Sequence, residues 1–465
     1  MLIKGSDLLK ASRGELLQGD PERAVAGFSI DTRTIGPGEF FVPLRGEKED
    51  GHRYISAAAA RGAGGAFCAR RPPPGLPPQF LLIRVPDVLA ALQQAAAFHR
   101  SRFALPVIGV TGSSGKTTTK DLIAGVLSRR MKVLKTEGNL NNEIGLPLTL
   151  LRLEESCRAA VLEMGMSAPG EIALLARLAL PEIGVITNVG AAHLEQLGHM
   201  EAVAAAKEEL LDALGAGGTA VLNADDPRLR EMGGRFGGKI YTYGFSGGDI
   251  RGSSFALRGE NSHFEARFPG GEEGAFVLPL PGRHLASNAL AALATGYLLG
   301  VSLPEMASAL QRTRITGGRL QLFAGPAGSS IIDDSYNANP DSVRAALDVL
   351  RELAGPRSIA VLGDMLELGP AEKELHREIG RYAAGCGIGA LVTVGRLGAE
   401  IAAGASGAAG AEFPAVACPD HDGAVKAVQR AGPQAGWYIL VKGSRGMQME
   451  AIVEKLTGQA KGDSE

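Results

Sequence analysis

The stretch Val107–Lys120, V-I-G-V-T-G-S-S-G-K-T-T-T-K, decides the fold of this chain. An apolar run at its start leads into a turn rich in glycine and serine, and a segment with helical periodicity follows. A buried strand, a glycine-rich loop and a helix in this order are typical of a phosphate-binding loop, because glycines let backbone N–H groups turn toward the phosphates. The stretch therefore predicts a nucleotide-binding α/β domain.

The loop departs from the strict pattern G-x-x-x-x-G-K-[ST] at its first glycine. Val110 occupies that position, and the glycine comes one place earlier, at Gly109. The remaining pattern is intact: Lys116 can neutralise phosphate oxygens, and the hydroxyl of Thr117 can hold Mg²⁺ at a helix N-terminus. The predicted nucleotide contacts of the loop are Gly112, Ser113, Ser114, Gly115, Lys116, Thr117 and Thr118.

The composition is that of an ordinary globular protein. The chain has 465 residues, which is enough for two or three domains, with 45% hydrophobic and 21% charged residues. Its net charge of −2 argues against a nucleic-acid coat or a basic membrane patch. The N-terminus lacks the apolar run of a signal peptide, no apolar run is long enough to span a membrane, and the 4 cysteines form no C-x-x-C pair. We therefore expect a reduced, cytoplasmic protein.

The order of elements predicts an α/β protein of three domains. Residues 1–102 carry short strands and helices, which predict a small N-terminal α/β substrate domain. Residues 103–316 alternate apolar runs with helices, as in a doubly wound, mostly parallel sheet. Within them, the glycine-rich stretch Lys239–Pro281 breaks the rhythm and predicts a small antiparallel appendage. Residues 317–465 alternate again and predict a C-terminal Rossmann-like α/β domain.

Polar residues follow the strands of the predicted central sheet. Glu163 ends the apolar run A-A-V-L-E, where a carboxylate is well placed for Mg²⁺ beside a phosphate loop. An ordinary acid at a strand end is the alternative. His193 follows the next strand, and a lone histidine is more often structural or solvated than a ligand. Lys207, taken alone, is typical of a solvated lysine on a helix.

The third predicted domain has a similar group after its first buried strand. Asp334, Tyr336 and Asn337 follow the run S-S-I-I-D-D and would line a crevice at the end of the sheet. Asn339 is predicted to cap the next helix, with Pro340 at its first position.

Further strand ends in this domain also carry charge. Asp364 and Glu367 follow the strand S-I-A-V-L-G, and Lys442, Ser444 and Arg445 follow Y-I-L-V. Residues at the ends of separate strands converge in an open sheet. The two cations could hold the terminal carboxylate of a dipeptide, with plain surface charge as the alternative.

Taken together, these motifs resemble the Mur ligase and folylpolyglutamate synthetase superfamily, whose phosphate loop has the form G-x-T-G-[TS]-x-G-K-[TS]. The resemblance covers nearly the whole chain, because further motifs follow in the family's order. They are T-E-G-N-L-N-N-E-I-G-L-P-L, L-E-M-G-M-S-A-P-G-E-I, T-N-V-G-A-A-H-L-E, A-K-E-E-L, G-R-H-L-A-S-N-A-L, D-D-S-Y-N-A-N-P-D-S, V-L-G-D-M-L-E-L-G and V-K-G-S-R-G-M-Q-M-E. The D-N-P-R motif of the family member that adds the third peptide residue is absent.

The resemblance implies an enzyme dependent on ATP and Mg²⁺ that joins D-alanyl-D-alanine to UDP-N-acetylmuramoyl-tripeptide through an acyl phosphate. It implies a monomer that acts in cytoplasmic peptidoglycan precursor synthesis, with no nucleic-acid or membrane partner. The implied catalytic residues are Lys116, Glu163, His193 and Lys207, the last of them carbamylated. The implied metal ligands are Thr117, Glu163, His193 and Lys207.

The resemblance also implies binding residues in each domain. Asn288 would contact the adenine, and Arg319, Asp334 and Asn337 would reach the nucleotide when the domains close. The implied UDP-sugar site comprises Ser29, Asp31, Arg33, Arg45, Gly46, Asp50 and His52. The implied dipeptide site comprises Lys442, Ser444 and Arg445. One departure is Leu285, which follows His284 where the family often has asparagine.

Other functions remain open at this point. A second ligase of the superfamily, adding a different amino acid or glutamate, would carry many of the same motifs. A P-loop NTPase without ligase activity would hydrolyse ATP with no amine acceptor, and a non-catalytic nucleotide-binding module is a third possibility. The third residue of the tripeptide, diaminopimelate or lysine, is not fixed by any motif.

Overall fold

The computed structural model describes residues 3–46, 48–409 and 413–458, whose strands form three main sheets and one two-stranded ribbon. We name the three parts of the chain that contain the main sheets the N-terminal, central and third units. The α/β class and the mostly parallel sheets predicted from the sequence are confirmed. The boundaries 102/103 and 316/317 stay a prediction, since membership of a sheet does not fix where a domain ends. Among the described residues, no helix is long and apolar enough to cross a membrane.

The N-terminal unit is built on a five-stranded sheet. The strands of this unit are β1 (Ile3–Lys4), β2 (Glu15–Gln18), β3 (Ala24–Val25), β4 (Phe28–Ser29), β5 (Phe40–Phe41), β6 (Gly65–Cys68) and β7 (Leu81–Arg84). The five-stranded sheet has the order β2-β7-β6-β5-β4. Its helices are α1 (Gly5–Ser12), α2 (Ile55–Ala60) and α3 (Val88–Arg100), with a 3₁₀ turn at Gly51–Tyr54. Strands β4 to β7 run parallel, β2 is antiparallel to β7, and β1 pairs with β3.

The central unit contains a nine-stranded sheet. Its strands are β8 (Val107–Thr111), β9 (Val133–Lys135), β10 (Ala159–Glu163), β11 (Ile183–Ile186), β12 (Thr219–Asn223), β13 (Lys239–Gly244), β14 (Ile250–Arg258), β15 (Asn261–Arg267) and β16 (Glu273–Leu278). Its helices are α4 (Lys116–Leu127), α5 (Gly145–Leu150), α6 (Glu171–Ala179), α7 (Leu194–Leu197), α8 (Met200–Leu214), α9 (Pro227–Arg235), α10 (Arg283–Leu298) and α11 (Leu303–Arg312).

Strand β8 lies in the interior of this sheet, between β10 and β11, in the order β9-β10-β8-β11-β12-β13. All of these strands are parallel, so their carboxyl ends meet along one edge. The chain leaves β8 toward β9 and returns to the other side of β8 for β11. Such a switch in strand order opens a crevice at the carboxyl ends of the strands, where ligands bind in open α/β sheets.

The predicted antiparallel appendage is smaller than the sequence indicated. Lys239–Gly244 is strand β13 and pairs parallel with β12, because helix α9 carries the chain back before it. Strand β14 pairs parallel with β13, and the antiparallel pairs are β14 with β15 and β15 with β16. These strands extend the same sheet instead of forming a separate layer. The prediction placed the start of this segment too early because short alternating pieces alone do not reveal a preceding crossover.

The third unit has a six-stranded sheet. Its strands are β17 (Gln321–Ala324), β18 (Ser330–Asp334), β19 (Ser358–Gly363), β20 (Ala390–Val394), β21 (Ala415–Cys418) and β22 (Tyr438–Lys442). Its helices are α12 (Pro340–Ala354), α13 (Glu372–Gly385), α14 (Gly398–Ala409), α15 (His421–Arg430) and α16 (Glu450–Thr457), with 3₁₀ turns at Pro326–Gly328, Gly369–Ala371 and Arg445–Met447. The order is β17-β18-β22-β19-β20-β21, and only β17 is antiparallel.

The connection into the third unit is attached to the helix that follows the phosphate loop. Both the backbone N–H and the hydroxyl of Thr316 donate to Oδ2 of Asp121 in α4, at 2.9 and 2.7 Å. The other oxygen of Asp121 accepts from Nζ of Lys135 at 2.6 Å, and the aspartate side chain is fully buried. Gly318, two residues beyond Thr316, has a φ of +71°. The chain therefore enters the third unit from a fixed point on α4.

Candidate active site

The turn between β8 and α4 can be made only with glycine at two positions. Gly112 has a φ of +147°, and a Cβ there would overlap the hydroxyl of Thr187. Gly115 has a φ of +79° and caps α4, which begins at Lys116. Residues with side chains avoid this left-handed region, so glycines allow the backbone to fold around a phosphate at the helix N-terminus.

The displaced first glycine of the motif has a packing role. Gly109 lies within β8, and a Cβ on it would be 3.1 Å from Leu210 Cδ1 and 3.1 Å from Met164 Cε. Val110 continues the strand and is wholly buried. The departure from the strict pattern therefore affects the strand, and the turn that faces the cleft keeps both of its glycines.

Residues that follow β11 hold the loop in place. Asn188 accepts from the Ser114 N–H through Oδ1 at 2.9 Å and donates to the Ser114 carbonyl through Nδ2 at 3.1 Å. Ser113 exchanges hydrogen bonds with the backbone of Gly190, both at 2.9 Å. Asn188 was not among the predicted residues, although its position two residues after a parallel strand was an available signal.

Lys116 points back over the loop and donates to the carbonyl of Gly112 at 2.7 Å. Burial lowers its pKa, and the carboxylate of Glu163 opposes that shift. Lys207 in α8 is 1% exposed, so the expectation of a solvated helix lysine is wrong. Burial, and then the charge of Lys116, hold the pKa of Lys207 well below its usual range.

Glu163 presents one oxygen without a partner to the cleft. Its Oε1 accepts from Nδ2 of Asn141 at 2.8 Å, and its N–H donates to the hydroxyl of Thr136 at 3.0 Å. Its Oε2 is buried and has no hydrogen-bond partner among the residues that the structure describes. An unpaired buried carboxylate oxygen is costly, so this atom suits a cation, and Mg²⁺ prefers oxygen ligands. Within the described ranges no three His, Cys, Asp or Glu side chains form a metal cluster, so a metal here also needs other donors such as Thr117.

His193 lies at the start of α7 with a left-handed φ of +57°. Its Nδ1 is 2.6 Å from Oε2 of Glu367, although the angle departs from that of a regular hydrogen bond. Glu367 belongs to the third unit, so this contact joins two units of the molecule. His193 also lines the cleft beside the phosphate loop.

Two further side chains of the third unit reach the phosphate loop. Nη2 of Arg319 donates to the hydroxyl of Thr117 at 3.0 Å, and its guanidinium lies 3.9 Å from the centre of the Tyr336 ring. Asn339 caps α12 by accepting from the Ser342 N–H at 2.9 Å, which confirms the predicted cap. It also donates to the hydroxyl of Ser114 through Nδ2 at 3.0 Å, a contact that the capping pattern could not reveal.

The cations predicted for a dipeptide carboxylate have partners within the third unit. Nζ of Lys442 is buried and donates to Asp334 Oδ2 at 2.6 Å and to the Asn337 carbonyl at 2.9 Å. Burial raises the pKa of Asp334, and Lys442 opposes the shift. Arg445 pairs with Glu450 at 2.7 Å. Of these two cations, Lys442 lines the cleft and Arg445 does not.

Asn288 packs against the phosphate loop from α10. Its Oδ1 would lie 2.7 Å from a Cβ at Gly115, so the carboxamide and the loop backbone are in close contact. Leu285, one turn earlier, is 5% exposed and belongs to the hydrophobic core that also borders the cleft. The leucine that departs from the family pattern therefore has an apolar environment.

The residues predicted for a UDP-sugar site lie apart from this cleft, in the N-terminal unit. Arg33 pairs with Asp31 at 2.7 Å and lowers the pKa of Asp31 to about 2, and the Ser29 hydroxyl donates to the Asp31 carbonyl at 3.0 Å. Nδ1 of His52 lies 2.7 Å from Asp50 Oδ1, and its Nε2 accepts from a backbone N–H at 2.9 Å.

The remaining two members of this predicted set lie in the adjoining loop. Arg45 forms an isolated bridge with Asp50, and the N–H of Gly46 donates to the Glu49 carbonyl at 2.8 Å. The set therefore falls on neighbouring loops at one end of the N-terminal sheet.

The cleft between the central and third units has a volume of about 960 Å³. Many of the predicted residues line it: Ser113, Ser114, Gly115, Lys116, Thr117, Thr118, Glu163, His193, Asn288, Arg319, Asp334, Asn337 and Lys442. Gly112, Lys207, Ser444 and Arg445 lie outside its lining. Residues that the sequence analysis did not select, Asn141, Asn188, Asn223, Asp225 and Asp226, also line it.

The fold and the cleft define a nucleotide-dependent P-loop enzyme with an arginine supplied by a second α/β unit. Comparison with protein-family models identifies the family to which this enzyme belongs. Residues 24–100 match the catalytic domain of the Mur ligase family, residues 110–296 the Mur ligase middle domain, and residues 318–445 the glutamate ligase domain of Mur ligases. The chain belongs to the Mur ligase family.

Named relatives match the chain from end to end. The UDP-N-acetylmuramoyl-tripeptide–D-alanyl-D-alanine ligase of Bacillus subtilis is 40% identical over 449 residues, covering 96% of this chain and 96% of that protein. A crystal structure of MurF from Acinetobacter baumannii superposes with a TM-score of 0.90 at 32% identity, covering 99% of both chains. MurF ligase from Thermotoga maritima in complex with ADP superposes with a TM-score of 0.82 at 28% identity, covering 93% of this chain and 97% of that one.

Proposed function

We infer that this chain is an ATP-dependent ligase that joins D-alanyl-D-alanine to UDP-N-acetylmuramoyl-tripeptide. The products are UDP-N-acetylmuramoyl-pentapeptide, ADP and phosphate, and the reaction belongs to peptidoglycan precursor synthesis. The observation that carries this inference is the match over 96% of the chain to a ligase of that name. The cleft supports it, because phosphate-binding and carboxylate groups meet there under a second unit.

The reaction requires activation of a carboxylate. An oxygen of a carboxylate is a poor leaving group, so transfer of the γ-phosphoryl group of ATP to it makes an acyl phosphate. The amine of the dipeptide then attacks the acyl carbon, an amide bond forms, and phosphate leaves. In such reactions the protein contributes positioning and neutralisation of charge. We propose that Lys116 and Arg319, which both line the cleft, neutralise the transferred phosphoryl group.

The proposed metal site combines side chains of the central unit. Bound Mg²⁺ supplies neutralisation of phosphate charge. Thr117, Glu163 and His193 would hold it, and the unpaired Oε2 of Glu163 is the feature that supports the assignment. Lys207 would contribute after carbamylation, since a lowered pKa favours the neutral amine that reacts with carbon dioxide. Electron density at this side chain tests the carbamate directly.

The third unit is proposed to bind the dipeptide and to close on the nucleotide. Arg319, Asp334 and Asn337 are the proposed nucleotide contacts of this unit, and Lys442, Ser444 and Arg445 the proposed dipeptide contacts. Lys442 is already paired with Asp334 at 2.6 Å. It would therefore have to interact with Asp334 and the incoming carboxylate at the same time. Asn288 is the proposed adenine contact. Closure of one unit on another excludes water from the reacting groups.

The remaining assignments follow from the proposed substrates. The N-terminal unit would bind the UDP-sugar through the loops that carry Ser29, Asp31, Arg33, Arg45, Gly46, Asp50 and His52. ATP and a UDP-linked substrate are cytoplasmic metabolites, so we propose that the protein acts in the cytoplasm. We propose a monomer with domain boundaries at residues 102/103 and 316/317, and light scattering tests the oligomeric state.

The experiment that tests the function follows ADP release and product mass together. We expect ADP release only with both the tripeptide substrate and D-alanyl-D-alanine, and a product heavier by one dipeptide. Release of ADP without an acceptor would favour a P-loop NTPase. Ligation of single amino acids in preference to the dipeptide would favour another ligase of the family. Diaminopimelate and lysine forms of the tripeptide, assayed side by side, identify the third residue.

Substitution of Lys116 tests the proposed phosphoryl transfer most directly. Lys116→Ala should lower kcat by roughly 100-fold or more, because a cation facing the transferred phosphoryl group is lost. The control is Lys455→Ala, which removes an exposed lysine that pairs with Asp422 in the third unit, away from the cleft. Ligation by Lys116→Ala at the wild-type rate would contradict the assigned role.

A further inference from the structure

The loop after β19 carries a motif, V-L-G-D-M-L-E-L-G, to which the proposed function gives no task. Within it Glu367 has a left-handed φ of +63°. A residue with a side chain adopts this conformation at a cost, and such strain persists only where the surroundings impose it. Glu367 is therefore held in place by its contacts.

Those contacts cross from the third unit to the central unit. Oε2 of Glu367 lies 2.6 Å from Nδ1 of His193, and the Glu367 carbonyl accepts from the N–H of Glu195 at 3.1 Å. Gly369 packs closely on the same turn, since a Cβ there would be 3.2 Å from Cα of Glu195. The loop thus docks on the turn that begins with His193.

The other side of the loop is tied to the proposed dipeptide site. The N–H of Leu366 donates to the hydroxyl of Ser444 at 2.8 Å, and the N–H of Ser444 donates to the Asp364 carbonyl at 3.0 Å. The N–H of Met365 donates to Nε2 of the buried His376 at 2.9 Å. One short loop therefore links Ser444 on one unit to His193 on the other.

The contact between Glu367 and His193 contributes little to stability. The Glu367 and His193 side chains are 49% and 23% exposed, and contacts between side chains with this exposure contribute little to the free energy of unfolding. The strained backbone of Glu367 would offset any stabilisation from this contact. Orientation of the imidazole is the effect that remains, because a carboxylate held close to one ring nitrogen positions the ring and leaves the other nitrogen free to bind a metal.

We propose that Glu367 is a positioning residue that the third unit supplies to the metal site of the central unit. It holds His193 through Nδ1 and directs Nε2 to the metal, and it does so only while the third unit is docked. The unit proposed to bind the dipeptide thereby completes the metal site. This inference rests on the proposed role of His193 as a metal ligand.

The test measures Mn²⁺ affinity in the presence of ADP by electron paramagnetic resonance, using the full chain. We expect Glu367→Ala to weaken Mn²⁺ binding by about 10- to 100-fold, the usual effect of losing such a partner. Glu367→Gln keeps an acceptor oxygen and should retain part of the affinity. In a His193→Ala background, Glu367→Ala should cause no further loss, because the two residues act through one ligand.

The matched control is Tyr438→Phe. The Tyr438 hydroxyl donates to Oε1 of Glu260 at 2.9 Å, a contact that also joins the third and central units but does not involve the cleft. This variant should keep wild-type Mn²⁺ affinity. In the ligation assay Glu367→Ala should lower kcat with little change in the KM for ATP, whereas the control should leave both unchanged.

Three results would overturn the proposal. The first is wild-type Mn²⁺ affinity in Glu367→Ala, and the second is an equal loss in Tyr438→Phe, which would assign the effect to docking alone. The third is wild-type Mn²⁺ affinity in His193→Ala, which would also remove the proposed metal ligand. None of these results depends on the identity of the substrates, which ADP release tests separately.

Discussion

Gly115 shows how strongly single positions of the phosphate loop are constrained. Its φ is +79°, and a Cβ would lie 2.7 Å from Oδ1 of Asn288. Two independent requirements, backbone conformation and space, therefore select glycine at this position. A side chain at position 115 would require α10 to move, because Asn288 on that helix is buried, with 7% exposure.

Gly115→Ala should weaken ADP binding by at least 10-fold, because the loop must shift away from Asn288. The control is Gly300→Ala, where φ is +71° but no heavy atom of the described residues, other than those of its chain neighbours, lies within 4 Å of a new Cβ. Both variants carry the same backbone cost of about 1 kcal/mol, and only the first has the clash. Calorimetric titration with ADP measures the difference, and equal affinities in the two variants would refute the steric argument.

Residues whose role depends on local sequence could be predicted from the sequence. Lys116, Thr117 and Glu163 are fixed by a motif or a strand end, and the structure brings all three to one cleft. Asn141 was not predicted, because its partner Glu163 lies elsewhere in the chain. Asn188 follows a strand end, but its hydrogen bonds to Ser114 could not be read from that position. Lys207 was misjudged from the residues alone, since a polar helix pattern does not show that its lysine is buried.

At the scale of elements, helix α12 combines two functions at its first turn. Asn339 caps the helix through Oδ1 and contacts Ser114 of the phosphate loop through Nδ2. The orientation of α12 is therefore coupled to the loop by one side chain. A capping pattern predicts the first contact only, because it is local.

Asn339→Ala should lower the free energy of unfolding by about 1 kcal/mol, the usual cost of a lost cap, and should also reduce kcat. The control is Asp87→Ala, which removes the cap of α3, where Asp87 Oδ1 accepts from the Ala90 N–H at 2.7 Å. We expect a similar loss of stability there with unchanged kcat. Denaturant unfolding and the ligation assay measure the two effects, and equal kcat in both variants would mean that the Ser114 contact is dispensable.

Strand β13 marks the limit of prediction for elements. Its residues were assigned to an antiparallel appendage because short alternating segments look alike in either direction. The crossover through α9 makes it parallel to β12. The direction of a strand depends on the segment that connects it to its neighbour. The helical pattern of Pro227–Arg235 was too weak to predict that this connection is a crossover helix.

At the scale of the whole molecule, the third unit covers the cleft of the central unit. A Cβ on Gly190 would overlap the carboxylate of Asp341 and lie 3.2 Å from its Cγ. Because Cγ is one bond from the Cβ of residue 341, the two Cβ atoms lie near the spacing of a disulfide, about 3.5–4.5 Å between Cβ atoms. The four cysteines are buried and unpaired, so they leave an introduced pair undisturbed.

The double variant Gly190→Cys/Asp341→Cys should lose ligation by more than about 100-fold after oxidation, because the cross-link would prevent the movement of the third unit that we propose for substrate entry and product release. A reductant should restore the activity of the double variant. Neither single variant should respond to oxidant or reductant. Full turnover by the cross-linked protein, with the disulfide verified by mass, would show that the unit need not move.

The division into three α/β units followed from the alternation of apolar runs and helices, which is a local property repeated along the chain. The packing of one unit on another could not be predicted in the same way. Contacts such as Arg319 with Thr117 join residues of different units, and no periodicity encodes them. The family resemblance supplied an expectation of closure but gave no contact between particular atoms.

The hydrogen bonds from Thr316 to Asp121 have a consequence for communication within the molecule. Asp121 lies on the helix that begins at Lys116, so the attachment point of the third unit and the proposed phosphate-binding end belong to the same helix, α4. A tilt of α4 on nucleotide binding would therefore displace Arg319, which lies three residues beyond Thr316. Nucleotide binding and movement of the third unit would then be coupled directly through α4, without intermediate residues.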